Sequence, residues 1–341
     1  MSMQSKLIQA YEMMAAASSI LIIAHLHPDG DALSSVAALR LMTKDLGKKT
    51  ACYCKQKNPQ LFDYLPGFQA IESDWESLQN KYDFKDNIID KFDLVIVADC
   101  GSLARTALIQ EIKDYKQAGG KIIEFDHHPR IYEYADLEIR YPDLSSTAEL
   151  IYQFIITNKI FLSRELADCV LTGILTDTGN FLYPSASDET LKAAAATLEA
   201  GARYSKIVSY TLQNKDMAVV KMWGLALERL KINSRYQIVT AVITRTDIKD
   251  ILGREGSDMA SKSDLFSGLS GFLSNLAGAK AILLLYEEES GCVKGSLRST
   301  SNGFMVDKLA RALGGGGHKR ASGFSVPGHL EKIGNNWQVI N

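Results

Sequence analysis

Histidine and aspartate residues closely spaced after residue 24 could bind divalent metal ions. The segment reads His25, Leu26, His27, Pro28, Asp29, Gly30, Asp31. Imidazole nitrogens and carboxylate oxygens are ligands for hard to borderline divalent ions. Because aspartate is also favoured as a helix N-cap, Asp29 and Asp31 could instead only cap the helix that follows. This turn alone leaves both interpretations open.

The same residue types recur after two further apolar segments. Asp99 follows the run Leu94–Ala98 directly, and Asp126, His127 and His128 follow the next such run. Short apolar segments that alternate with helical patterns predict a parallel sheet, in which ligands bind beyond the carboxyl ends of the strands. Metal binding therefore explains these residues better than helix capping alone.

The segments around these residues predict the elements that position them. The apolar run 20–24 predicts a buried strand, and the spacing of Leu33, Val36, Ala37 and Leu39 predicts a helix after the turn. Further strands are predicted at Thr50–Tyr53, Leu94–Ala98 and Lys121–Phe125. Ser146 and Glu149 have the spacing of a capping box. Asp177 ends a helical pattern that begins near Glu165.

Composition restricts the class of protein. The chain has 341 residues, a formal net charge of -2 and 46% hydrophobic residues, which suits two globular domains. Neither a signal peptide nor a membrane-spanning run is apparent, so we predict a cytoplasmic protein. Its five scattered cysteines indicate neither a disulfide framework nor a thiolate zinc site. The near-neutral charge disfavours a protein that coats long nucleic acid.

The C-terminal half has a basic segment suited to phosphate. Strands are predicted at Tyr236–Ile243, Ala279–Tyr286 and Cys292–Arg298, and residues 291–320 carry six basic side chains but a single acid, Asp307. The amides of the four glycines from Gly314 could surround an anion beside His318, and the Arg298 fork could bind phosphate oxygens. In the helix before these glycines, the residues predicted to be core are Met305, Leu309, Ala310 and Leu313.

The order of these motifs resembles the DHH phosphoesterase superfamily. The matching motifs are His25-x-x-Pro28-Asp29-Gly30-Asp31, then Asp99, Asp126-His127-His128, and Thr176-Asp177-Thr178-Gly179. Two C-terminal motifs, 295–299 and 314–323, resemble the DHH-associated domain of the branch that contains NrnA-type nanoRNases and RecJ exonucleases. The resemblance spans nearly the whole chain and is closest to the NrnA group.

The resemblance implies an α/β fold with two domains. A parallel-sheet DHH domain is expected over residues 1–200 and a helical connector over 201–230. A smaller α/β DHH-associated domain is expected over 231–341, across a cleft from the first.

The resemblance also implies a role for each site residue. His25, Asp29 and Asp99 would hold one metal ion, and Asp31, Asp99, His127 and Asp177 a second, with Asp99 bridging. The ions would be two divalent ions, Mn²⁺ or alternatively Mg²⁺. His128 would act in catalysis at the scissile phosphate. The substrate-binding residues would be Arg298, Ser299, Gly316, Gly317 and His318. Independently, so many carboxylates at one site would repel each other unless cations neutralised them.

Two residues near these motifs allow alternatives. Asp126 is predicted to orient a neighbouring ligand rather than to bind metal itself. Arg105 is predicted to be an exposed arginine at the start of a helix, with contact to a substrate phosphate as the alternative.

The predicted function is a metal-dependent phosphoesterase. It would hydrolyse short oligoribonucleotides (nanoRNA) to mononucleotides, and 3′-phosphoadenosine 5′-phosphate to AMP and phosphate. Neither long duplex nucleic acid nor a membrane is an expected partner, and a homodimer is plausible by resemblance. The alternatives are a cyclic-dinucleotide or linear dinucleotide phosphodiesterase, a pyrophosphatase or exopolyphosphatase, and a non-catalytic nucleotide-binding module. The last would predict a lost ligand, yet all six are present.

Overall fold

The chain folds into two compact units. A computed structural model describes residues 1–341 except 57, 83–90, 214–215, 256–265, 267, 301–302, 318, 335 and 341. Unit 1 is Met1–Gln213 and unit 2 is Asn214–Asn341. His318, predicted to bind substrate, therefore lies outside the described residues. The division between the units falls within the predicted connector, residues 201–230.

Unit 1 is built on a parallel sheet, as the sequence predicts. All its paired strands run parallel, in the order β3-β2-β1-β4-β5-β6. The strands are β1 Ser19–Ile23, β2 Lys49–Tyr53, β3 Ile71–Glu72, β4 Leu94–Ala98, β5 Lys121–Asp126 and β6 Leu137–Arg140. The predicted strands do not include β3, which has two residues, or β6, in which charged residues alternate with apolar ones.

Eight helices belong to unit 1 within the part of the chain that the structure describes. They are α1 Met3–Ala16, α2 Gly30–Asp45, α3 Trp75–Tyr82, α4 Ile109–Gln117, α5 Thr147–Thr157, α6 Arg164–Asp177, α7 Asp188–Glu199 and α8 Tyr204–Val208. Short 3₁₀ turns lie between some of them, and a π turn, Ser209–Gln213, follows α8. No described helix in either unit combines the length and the apolar character needed to cross a bilayer.

Both faces of the sheet are covered, which explains the uninterrupted apolar strands. Ile20 and Ile22 of β1 pack in the core that α2, α5 and α6 share. Leu21 and Ile23 point to the other face and pack with residues of α3 and α4. This three-layer arrangement leaves the strand ends to carry the polar residues.

Unit 2 contains a mixed sheet and a separate hairpin. Its sheet order is β11-β12-β10-β9-β8-β7, in which β8 and β9 are parallel and the other pairs antiparallel. The strands are β7 Lys231–Asn233, β8 Ile238–Ile243, β9 Ala281–Glu287, β10 Cys292–Ser299, β11 Gly316–Gly317, β12 Ala321–Pro327, and the hairpin β13 His329–Ile333 with β14 Asn336–Ile340. The helices are α9 Met217–Glu228, α10 Arg245–Glu255, α11 Leu269–Leu273 and α12 Val306–Ala312. The three predicted C-terminal strands are confirmed as β8, β9 and β10.

Four residues in and beside α12 were predicted to be core, and this prediction is wrong for three of them. Ala310 is buried, but Met305, Leu309 and Leu313 are 46%, 37% and 40% exposed. Val306 packs into the core together with Ala310. Because α12 spans only two turns, two residues suffice to attach it to the sheet.

Close packing of two strands accounts for part of the glycine run. A Cβ on Gly315 would lie 2.1 Å from the carbonyl oxygen of Gly323, and a Cβ on Gly317 would lie 2.6 Å from that of Ala321. Only glycine allows β11 to approach β12 this closely. Gly316, in contrast, borders open space, and its role in binding an anion stays a prediction.

Candidate active site

Three neighbouring strands deliver the predicted metal-binding residues to one sheet edge. Because β1, β4 and β5 are adjacent, the residues that follow them lie together. The backbone at this edge is strained, since His27 and Asp99 have φ of +55° and +58°. Non-glycine residues rarely adopt this conformation, and such strain clusters at functional sites.

Asp99 lies at the centre of the site. Its Oδ2 is 3.7 Å from His25 Nε2, and its Oδ1 is 3.6 Å from His127 Nε2. Two ligands of one ion with bonds of about 2.0–2.2 Å lie about 3–4 Å apart. The two oxygens of the buried Asp99 carboxylate therefore face two separate positions, each at a distance that fits a shared ion.

The first position is bordered by His25 and Asp29. The Nδ1 of His25 donates to the carbonyl oxygen of Leu26 at 2.5 Å, which leaves the lone pair on Nε2. That Nε2 is buried and has no hydrogen-bond partner among the residues described, and it lies 3.9 Å from Asp29 Oδ2. The other oxygen of Asp29 accepts from Ala32 N and caps α2. Asp29 is thus a helix cap whose second oxygen is available for a metal ion.

The second position is bordered by Asp31, His127 and Asp177. The Nε2 of His127 lies 3.9 Å from Asp31 Oδ2 and 3.5 Å from Asp177 Oδ2. Sets of three ligand atoms within 4.8 Å of one another occur at both positions, and a third set joins Asp99, His127 and His128. The donor chemistry of nitrogen and oxygen fits a divalent ion.

The start of α5 orients two of these carboxylates. The amides of Thr147 and Ala148 donate to Asp31 at 2.7 and 2.9 Å, and Thr147 Oγ1 donates to Asp99 Oδ1 at 2.8 Å. Ser146 caps α5 as predicted, but Glu149 accepts from Ser145 rather than from the Ser146 amide, so the capping box is incomplete. The predicted site residues do not include Thr147, which lies 116 residues from Asp31 in the sequence.

Gly173 of α6 allows α6 to pack directly against Asp31 and the start of α5. A Cβ at this position would lie 2.4 Å from Ala148 Cβ and 2.5 Å from Asp31 Oδ1. Any side chain at residue 173 would therefore displace Asp31 or the start of α5. The motif spacing could not predict this role of Gly173, because the contact with Asp31 arises only when α6 packs against α2 and α5.

The electrostatics of the site favour a bound cation. Burial, and then the charge of the neighbouring Asp177, raise the pKa of Asp31 to about 7. The pKa of Asp99 is likewise well above its usual value, because of burial and then the charge of Asp31. Burial lowers the pKa of His25, which favours the neutral imidazole that binds metal. Without a cation, this site would hold protons in its place.

Asp126 orients His128. Its Oδ1 accepts from the His128 amide at 2.7 Å and from His128 Nδ1 at 2.9 Å. The sequence predicts that Asp126 orients a neighbouring metal ligand, but in the structure it holds His128, which is outside the proposed ligand set, and among the described residues it accepts no hydrogen bond from the ligand His127. The His128 side chain is 24% exposed, against 7% for His127. His128 is therefore the more accessible of the two imidazoles.

A buried arginine supports Asp126 from the unpredicted strand β6. Arg140 lies 3.1 Å from Asp126 Oδ2 and 2.6 Å from Glu124 Oε1. Burial acts to raise the pKa of Asp126, but hydrogen bonds from His128 and the charge of Arg140 outweigh it and hold the pKa below its usual range. Asp126 thus remains an ionised acceptor for His128.

The predicted substrate-binding residues that the structure describes lie in unit 2. Arg298 and Ser299 belong to β10, and Gly316 and Gly317 form β11. The Arg298 guanidinium donates to the Leu297 carbonyl at 3.0 Å. Ser299 is buried. Their contact with substrate stays a prediction.

Two domain families match the chain in the predicted order. Residues 19–174 match the DHH family N-terminal domain, and residues 259–340 match the DHHA1 domain. The first match contains five of the six proposed ligands, and Asp177 lies just beyond it.

Relatives and solved structures agree with this assignment. The chain is 27% identical to the bifunctional oligoribonuclease and PAP phosphatase NrnA of Bacillus subtilis, covering 90% of this chain and 89% of that protein. It is also 27% identical to NrnA of Thermus thermophilus, covering 92% and 86%. An exopolyphosphatase-related protein from Bacteroides fragilis shares the fold, with a TM-score of 0.80, 24% identity and coverage of 98% and 92%. The chain is a DHH-family protein with a DHH domain followed by a DHHA1 domain, and hence a metal-dependent phosphoesterase.

Proposed function

We propose that the chain hydrolyses short oligoribonucleotides to mononucleotides and releases phosphate from 3′-phosphoadenosine 5′-phosphate. The observation that carries the chemistry is the pair of ligand sets around Asp99, beside the accessible His128. The substrate class is inferred from the NrnA relatives, whose names specify oligoribonuclease and PAP phosphatase activity and whose length the chain covers almost completely.

The proposed ligand set is the one that the resemblance implies. His25, Asp29 and Asp99 would hold one divalent ion, and Asp31, His127 and Asp177 would hold a second together with Asp99. Mn²⁺ suits this mixture of imidazole and carboxylate, with Mg²⁺ as the alternative. Ions bound there would supply electrostatic stabilisation of the charge that develops on the phosphoryl oxygens.

The protein's own residues then have distinct tasks. Asp99 fixes the two positions relative to each other, and Thr147 holds its carboxylate in place. With Nδ1 hydrogen-bonded to Asp126, His128 would present Nε2 to the phosphate or to the leaving oxygen. Arg298 and the glycines of β11 would bind a second phosphate or the nucleotide.

A turnover panel tests the proposal. Purified protein with Mn²⁺ is assayed on RNA of two to five nucleotides, a 24-nucleotide RNA, 3′-phosphoadenosine 5′-phosphate, cyclic di-AMP and pyrophosphate. The proposal expects the short RNAs and the bisphosphate nucleotide to have the highest kcat/KM. Asp99→Asn, purified identically, must remove the activity and so exclude a contaminating nuclease. Faster turnover of cyclic di-AMP or pyrophosphate would overturn the substrate assignment.

A further inference from the structure

Arg105 lies beside the site. It belongs to the 3₁₀ turn Leu103–Thr106 and is partly buried. Its carbonyl oxygen accepts from Leu26 N at 2.7 Å, which attaches this turn to the segment that carries His25. Within the described part of the chain, the guanidinium makes no hydrogen bond or ion pair.

The guanidinium and the His128 imidazole both lie beside Gly101. A Cβ built on Gly101 would lie 3.2 Å from Arg105 Nη1 and 3.4 Å from His128 Cγ. Gly101 has φ of +67°, and its amide donates to Asp126 at 2.6 Å. The side chains of Arg105 and His128 therefore both lie against Gly101, which has no side chain of its own.

The acidic residues of the site form no direct ion pair with Arg105 in the described part of the chain. Among the described residues, no carboxylate oxygen pairs with the Arg105 guanidinium within 4.0 Å, although Asp29 is near enough to interact with its charge through space. The Arg105 guanidinium thus keeps its positive charge beside the site without a direct ion pair to any residue that the structure describes. If metal ions neutralise the carboxylates, an anionic ligand can pair directly with Arg105.

We infer that Arg105 binds a non-bridging oxygen of the substrate's scissile phosphoryl group, on the same side of the site as His128. This inference rests on the proposed phosphoesterase site and adds a substrate-binding residue to it. The planar guanidinium matches two phosphoryl oxygens. The prediction that Arg105 is an exposed residue at a helix start is replaced, because the side chain is partly buried and points toward the site.

Substitution of Arg105 tests the inference. Arg105→Ala should lower kcat/KM about 10- to 100-fold, the usual range for losing a hydrogen bond to a charged group. The kcat/KM of Arg105→Lys should lie between those of the unchanged protein and Arg105→Ala, because lysine keeps the charge but lacks the planar fork of donors. The substrates are diribonucleotide, 3′-phosphoadenosine 5′-phosphate and bis(4-nitrophenyl) phosphate. The matched control is Arg164→Ala, an exposed arginine at the start of α6, which should match the unchanged protein.

Further readouts separate substrate binding from a structural role. By calorimetry, Mn²⁺ affinity should be unchanged in Arg105→Ala, whereas inorganic phosphate should bind the Mn²⁺-loaded variant at least about tenfold more weakly. Added guanidinium ion should partly restore the turnover of Arg105→Ala but should not raise that of the other variants. The phosphate titration and the nitrophenyl ester test Arg105 even if the short RNAs and the bisphosphate nucleotide are not substrates. Unchanged phosphate affinity, or a parallel loss of Mn²⁺ affinity, would overturn the inference.

Discussion

Replacing Gly173 with alanine should damage the site through packing alone. The added Cβ would lie 2.5 Å from Asp31 Oδ1, where ordinary contact begins at 3.4 Å, so the carboxylate or α6 must move by about 0.9 Å. Asp31 cannot move freely, because the amides of Thr147 and Ala148 hold both of its oxygens. Overpacking of this kind costs about 1–3 kcal/mol, and the higher helix propensity of alanine returns about 1 kcal/mol. We therefore expect a net loss of up to about 2 kcal/mol.

The control is a second glycine in the interior of a helix. Gly224 of α9 has no atom within 4 Å of the position of its added Cβ, so Gly224→Ala should be stabilising by about 0.5–1 kcal/mol. Urea unfolding and calorimetric Mn²⁺ titration are measured for both variants. Gly173→Ala should unfold at lower urea and bind Mn²⁺ about tenfold more weakly, as expected when a ligand's support is disturbed. If Gly173→Ala behaves like Gly224→Ala in both assays, the packing argument is refuted.

Four further predictions concern the site directly. Asp99→Asn should abolish turnover on every substrate and reduce the number of Mn²⁺ ions bound per chain in calorimetry. Thr147→Val should weaken Mn²⁺ binding about tenfold, because it removes the hydroxyl that orients Asp99. The folded state raises the pKa of Asp31 to about 7; the metal-free protein should therefore lose stability as pH rises from about 4 to 7, where only the folded state keeps the proton. Thermal melts should accordingly show a larger stabilisation by Mn²⁺ at pH 8 than at pH 5, and an equal gain would contradict this sign. Arg298→Ala should raise KM for 3′-phosphoadenosine 5′-phosphate about tenfold with little change in kcat, as for any lost charged hydrogen bond, in steady-state kinetics.

Local sequence patterns predict the parts of this protein that depend on neighbouring residues. The strands β1, β4 and β5 are short apolar runs that end at Asp or His, so both the sheet and its polar edge follow from the order of residues. The sequence could not reveal β6, because its charged residues are buried as ion pairs that only the folded sheet brings together. From the sequence alone, Glu138 and Arg140 of β6 would be predicted to be exposed. In the folded protein, Arg140 is instead paired with the buried Asp126.

Contacts between distant segments account for the remaining omissions. Thr147 and Gly173 have ordinary neighbours in the sequence, and their importance arises only where α5 and α6 meet Asp31. Arg105 was assigned by its place at a helix start, but the fold of the turn after Asp99 directs it to the site. The glycines before residue 318 have two physical explanations, since a close strand contact requires glycine as strictly as an anion does.

Location of bound metal ions would test the central claim most directly. A crystal of the chain grown with Mn²⁺ can be measured on both sides of the manganese absorption edge, so that anomalous scattering marks each ion. We expect one peak bordered by His25, Asp29 and Asp99, and a second bordered by Asp31, His127 and Asp177, with the Asp99 carboxylate between them. Peaks elsewhere, or a single ion that does not contact Asp99, would contradict the account.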